Sequence, residues 1–165
     1  MRLTHVFYAI VIAFCWGMNA PLVKIAVQTA PPFLFATLRC SLLALLVVFF
    51  RRPNLPWSVT GAFTILHGVK ISFLYYSLQL GIAAGISTVL LQTQSLFTVF
   101  LSVLIFKELV SFKSIVGLFI AFVGVCLIGF DQHAHGNLQA MIFVVSAAVF
   151  ATISFLVLRK HLDVN

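Results

Sequence analysis

The stretch AGISTVLLQTQSLFTVFLSVLIF, residues 84–106, contains no charged side chain, and its polar groups are hydroxyls and two amides. A helix needs about 20 apolar residues to cross the hydrocarbon layer, and this run is long enough for one crossing. It is about twice the length of a barrel strand and does not alternate. Inside a bilayer every peptide group must find an internal partner, so a run of this kind is expected to be helical. The rest of the chain has the same character. Of 165 residues, 62% are apolar and 8% charged, and the mean hydropathy is +1.18. Soluble domains carry about three times that share of charge, and 18 phenylalanines exclude disorder. The class that remains is an all-α polytopic membrane protein.

Charges and turn formers divide the sequence into six apolar stretches, at about 6–27, 32–50, 57–80, 84–106, 114–130 and 138–158. Pro31-Pro32 reads as a helix start, because proline is tolerated in a first turn. Pro53 and Pro56 read as a loop, and Gly81-Ile82-Ala83 is short enough to force a tight turn between antiparallel neighbours. The first stretch exceeds the apolar core of a signal peptide, and Met18-Asn19-Ala20 is a poor cleavage site, so it is read as an uncleaved helix.

Orientation follows from the basic residues. Arg2, Arg51, Arg52, Lys107, Lys113, Arg159 and Lys160 all fall in alternate connections, while 28–32, 81–83 and 131–137 carry no Lys or Arg. This positive-inside pattern puts both termini in the cytoplasm. The net charge of +7 is thereby explained as topology, with no nucleic-acid partner implied. Cys15, Cys40 and Cys126 lie within spans as small apolar residues, and no metal-ligand spacing or cofactor motif is present.

Lys24, Arg39 and Lys70 lie inside the expected spans. Each costs about 2.5–3.5 kcal/mol at a helix centre on insertion scales, so such groups face a bundle interior or a wet cavity. Lys24 is close enough to Gln28 to snorkel, whereas Lys70 lies near mid-span. The only carboxylates, Glu108, Asp131 and Asp163, fall at span ends or in connections. No intramembrane ion pair can therefore form within the chain. The deep cations must be met by carbonyls, hydroxyls, water, an anion or another polypeptide, and a cavity for a carboxylate-bearing solute would satisfy them.

The polar residues fall in rows. Thr60, His67, Lys70 and Ser77 share one face of the third stretch, and Thr88, Gln92, Ser95 and Ser102 share one face of the fourth. Gln94 and Thr98 form an adjoining row. Hydroxyl rows are also what interhelical hydrogen bonds require, but amides need more partners than hydroxyls do. Gly117, Ala121 and Gly124, like Ala147 and Ala151, have the spacing of close-packing faces. With no deep carboxylate and no activated His or Cys, an intramembrane enzyme lacks its parts.

An offset of 135 pairs Ala13 with Ala148, Asn19 with Ser154 and Lys24 with Arg159. Five helices followed by a copy of the first is how an inverted-repeat transporter begins its second half.

Several separated motifs carry a family resemblance. Trp16-Gly17-Met18-Asn19 with Lys24, then Pro31-Pro32-Phe33 and Leu38-Arg39, resemble the opening of an EamA-type transporter of the drug/metabolite transporter superfamily. The run from Ala84 to Thr98 followed by Glu108, and the tail Gly117 to Val125, are similar too. Many relatives have a proline before Leu96-Phe97-Thr98; Gln92-Thr93-Gln94-Ser95 is closer to the O-acetylserine/cysteine exporter branch. Lys107 and Leu109 depart from the glycine and the basic residue that usually flank the glutamate.

The resemblance implies a five-helix EamA repeat over residues 1–130, then a loop and the start of a truncated second repeat over 131–165. It implies export of small amino acids or related metabolites (cysteine- or O-acetylserine-like) by alternating access, from the cytoplasmic membrane. Trp16 and Asn19 would line the cavity, Gln92 and Gln94 would bind polar substrate groups with Thr98 beside them, and Arg39 and Lys70 would attract a carboxylate. His67 is the local candidate for proton coupling. The family has ten helices, so the expected partners besides substrate and bilayer are another EamA-type half or a homodimer. The alternative is a non-transporting fragment or interaction subunit.

Overall fold

The computed structural model describes residues 3–47, 56–107, 110–130 and 138–162, and every regular element among them is a helix. In chain order these are α1 (Leu3–Thr29), α2 (Pro32–Val47), α3 (Trp57–Gln79), α4 (Ala84–Leu91), α5 (Thr93–Phe106), α6 (Phe112–Phe130) and α7 (Leu138–Leu162). The connections at 48–55 and 131–137, with Glu108 and Asp163, lie outside the described residues.

Three segments are long and apolar enough to cross a membrane: His5–Thr29, Ala84–Phe106 and Leu138–His161. Pro32–Leu45 and Phe112–Val125 are shorter apolar helices. The expected third span, α3, has the length, but Thr60, Thr64, His67, Lys70, Ser72, Ser77 and Gln79 dilute its hydropathy. Among the described residues the molecule is all-helical, with the apolar helices of a multi-pass membrane protein.

The stretch 84–106 is two helices rather than one. At the joint the Gln92 amide donates to the Val89 carbonyl at 3.0 Å, and the Ser95 amide donates to the Gln92 carbonyl at 3.0 Å. Both bonds span three residues instead of four, which tightens the backbone locally. The Thr93 hydroxyl meanwhile donates to the Leu90 carbonyl, a side-chain bond of the kind that bends helices. Between α3 and α4, Gly81 has φ +101°, a conformation that costs glycine little. Its amide donates to the Leu78 carbonyl at 3.2 Å, closing the three-residue turn and sending Ile82 into the core.

The bundle is organised around α7. Ala140, Val144, Ala147, Ala148, Ala151, Thr152 and Ser154 of this helix are fully buried, and its most extensive neighbour is α3, followed by α5 and α4. The small side chains at Ala147 and Ala151 permit close helix approach. Around them, Phe73 of α3 meets Phe143 and Phe150 of α7 edge-on, with ring centroids 5.3 and 5.5 Å apart. Val23 and Val27 of α1, Ala36 of α2 and Tyr75 and Leu78 of α3 complete the core.

On α6 the small-residue face behaves differently from expectation. Gly117, Ala121 and Gly124 are exposed, and a Cβ added at either glycine would meet nothing within 4 Å. The spacing that permits packing is present, but no helix of this chain lies against it among the described residues.

Candidate functional site

A cavity of about 350 Å³ lies between the helices, lined by residues of α1, α2, α3, α4, α5 and α7. Six of the residues singled out in the sequence line it: Trp16, Asn19, Arg39, His67, Lys70 and Gln94. Trp16 is 78% exposed and stands at the mouth. Gln92 and Thr98 are not part of the lining. Gln92 is exposed, about 100° round the helix from the cavity-lining Leu91. The row that faces the cavity is Ser87, Leu91 and Gln94, one position out of step with the Thr88, Gln92, Ser95 row, although Thr88 also reaches it.

Arg39 is held by two other helices. Its Nη1 donates to Asn19 Oδ1 of α1 at 3.4 Å and to the Tyr75 hydroxyl of α3. One nitrogen thus ties α2 to both neighbours, and the rest of the guanidinium fork, which has only donors, borders the cavity. Lys70 of α3 makes no hydrogen bond or ion pair among the described residues, and its ammonium borders the same space. Both cations are met here by side chains and open cavity rather than by main-chain oxygens.

Two buried polar atoms at the site have no hydrogen-bond partner, His67 Nδ1 and Gln94 Oε1. The His67 ring lies parallel to Phe63, with centroids 5.4 Å apart and planes inclined by 15°. Gln94 is anchored through its backbone. Its carbonyl accepts from the Thr98 hydroxyl at 2.6 Å and from the Thr152 hydroxyl at 3.1 Å. Thr98 and Thr152 therefore hold α5 against α7 directly behind the cavity wall.

The two sides of the cavity differ in hydrogen-bonding character. Arg39 and Lys70, from α2 and α3, offer donors only. On the α4–α5 side the Ser87 hydroxyl donates to the Ala84 carbonyl at 2.8 Å, and the Thr88 hydroxyl donates to the Gly85 carbonyl at 2.7 Å. With their hydrogens engaged, both hydroxyl oxygens have only lone pairs left, whereas the Gln94 amide carries donors as well as an acceptor.

Tyr75, Ser87 and Phe155 belong to the lining and were not selected from the sequence. Tyr75 lies two helical turns beyond His67 and so on the same face, a relation that the 3.6-residue period contains. Ser87 is hidden in an otherwise apolar first turn, and Phe155 has no signal in a helix that is apolar all round.

Residues 3–130 match the model of the EamA-like transporter family. The chain belongs to that family. Among curated proteins it is 32% identical over 125 residues to a probable amino-acid metabolite efflux pump of Salmonella typhimurium, covering 74% of this chain and 42% of the relative. A protein of the same description from Escherichia coli is 29% identical over 136 residues, covering 81% and 45%. An uncharacterized transporter of Archaeoglobus fulgidus is 26% identical over 155 residues, covering 88% and 55%. The chain thus spans about half the length of the curated relatives it matches. No solved structure matches it. The family is described as one of EamA-like transporters. The cavity falls mainly within the matched residues, with α7 supplying Phe155 from beyond them.

Proposed function

We propose that the chain exports small amino acids or related metabolites of the cysteine and O-acetylserine kind, and that the cavity is the substrate site. The observation that carries this reading is the pairing of two cations, Arg39 and Lys70, in one cavity with no carboxylate in any span. A substrate carboxylate supplies the missing anion. Thr88 and Gln94 line the same space beside Trp16 and Asn19, and their polar groups suit an ammonium group at the other end of the same molecule. A free amino acid carries both groups.

In this reading six spans cross the cytoplasmic membrane with both termini in the cytoplasm. Residues 1–130 form the first repeat, and α7 begins an inverted second one. Transport proceeds by alternating access, the break at Gln92 letting α4 and α5 rock separately, with His67 as the local proton-carrying candidate. The other half of the cavity comes from a second EamA-type half or a second copy. An interaction subunit is the second reading, favoured by the open small-residue face of α6.

The test is efflux of radiolabelled cysteine and O-acetylserine from cells expressing the chain, alone and with a full-length relative. Efflux above vector that falls with Lys70→Leu supports the proposal. A correctly inserted chain that moves neither solute in either setting overturns it.

A further inference from the structure

A second concavity, of about 450 Å³, lies between α5 and α7 and shares no lining residue with the first. Leu101, Ile105, Val149, Ile153 and Leu156 give it apolar walls, and Lys160 is its one charged lining residue. Lys160 is exposed, in the last turn of the segment Leu138–His161, so it sits at a membrane surface whichever way the protein is oriented. From Val149 to Lys160 the helix rises about 16 Å at roughly 1.5 Å per residue. One leaflet is roughly 15 Å deep, half of the ~30 Å hydrocarbon core. The groove is therefore one leaflet long, greasy throughout its depth and positive at its surface end. Next to it the Arg159 guanidinium lies 5.2 Å from the centroid of the Phe106 ring and donates to the Ser102 hydroxyl at 3.3 Å, which adds positive potential at the same level.

We infer that this groove binds an anionic phospholipid, with an acyl chain along α5 and α7 and the headgroup phosphate at Lys160. Apolar burial holds the chain, and Lys160 selects the charge. A basic residue at a membrane surface favours anionic lipid by roughly fivefold. The site is separate from the substrate cavity and independent of what that cavity transports.

The experiment uses the whole chain, delipidated in neutral detergent and offered equal amounts of phosphatidylglycerol and phosphatidylcholine with identical acyl chains. Retained lipid is counted by native mass spectrometry. The wild type is expected to hold phosphatidylglycerol over phosphatidylcholine by roughly fivefold. Lys160→Gln lowers the preference several-fold without lowering the total, Lys160→Arg keeps the preference, and Ile153→Trp, which fills the groove, lowers retention of both. A preference unchanged in Lys160→Gln overturns the site. So does retention indifferent to Ile153→Trp, or a loss of thermal stability in Lys160→Gln that is equal in both lipids, which would leave Lys160 a role only at the helix terminus. Disulfide formation between copies carrying Ile153→Cys would put a second chain in the groove instead.

Discussion

Arg39 on α2 donates to the hydroxyl of Tyr75 on α3, and this contact fixes a guanidinium at the edge of a cavity deep in the bundle. Tyr75 is 2% exposed, packed against Phe35 with ring centroids 5.6 Å apart, so its oxygen is a stationary acceptor. The arrangement divides the work between the two cations. Arg39 is positioned by protein, and Lys70 is left for whatever enters.

Tyr75→Phe removes that acceptor while keeping the ring. A hydrogen bond to a charged group contributes about 1.5–3 kcal/mol, and the partly buried Arg39 retains Asn19, so the lower end applies. The expected outcome is a modest fall in melting temperature in detergent and a several-fold rise in the KM for efflux, with the maximal rate less affected. An unchanged KM would detach Arg39 from substrate.

Lys70→Leu removes the cation without a protein partner. No hydrogen bond is lost, and burial of an uncompensated charge is relieved, so insertion and melting temperature are expected to hold or improve. Efflux is expected to fall at least about tenfold, the equivalent of roughly 1.4 kcal/mol. Undiminished efflux would remove Lys70 from the site.

Gln94→Leu tests the amide that lines the cavity. A buried acceptor without a partner costs about 1–3 kcal/mol, and replacing it with an apolar side chain of similar size relieves that cost. The empty protein is therefore expected to melt higher, while transport of amino acids declines. A lower melting temperature would mean that Gln94 Oε1 already has a partner in the resting protein.

Ala151→Leu and Ala121→Leu form a matched pair. Ala151 is fully buried in α7, and overpacking there is expected to cost about 1–3 kcal/mol, read as a lower melting temperature and reduced yield. Ala121 on the exposed face of α6 is expected to tolerate the change when the chain is purified alone. If a partner half covers that face, Ala121→Leu should weaken its co-purification without altering the chain's own stability.

The helical, membrane-crossing character of the chain could be read from uncharged runs such as residues 84–106, because hydrocarbon leaves a long apolar segment no other way to satisfy its backbone. The identity of the deep cations, and the lack of any span carboxylate to neutralise them, was likewise plain from the residue order alone. Which polar side chains meet was not. The helical period puts Thr88, Gln92 and Ser95 on one face and Ser87, Leu91 and Gln94 on the adjoining one, and it is packing against the other helices that turns the second toward the cavity. Small-residue spacing on α6 and α7 looked equivalent, yet only α7 is enclosed. Spacing records what a helix can pack against, whereas the partner is chosen by contacts between segments far apart in the chain, such as Phe73 with Phe143 and Gln94 with Thr152. Tyr75 belongs to the same category, since its hydroxyl becomes an arginine's acceptor only when another helix brings the arginine to it.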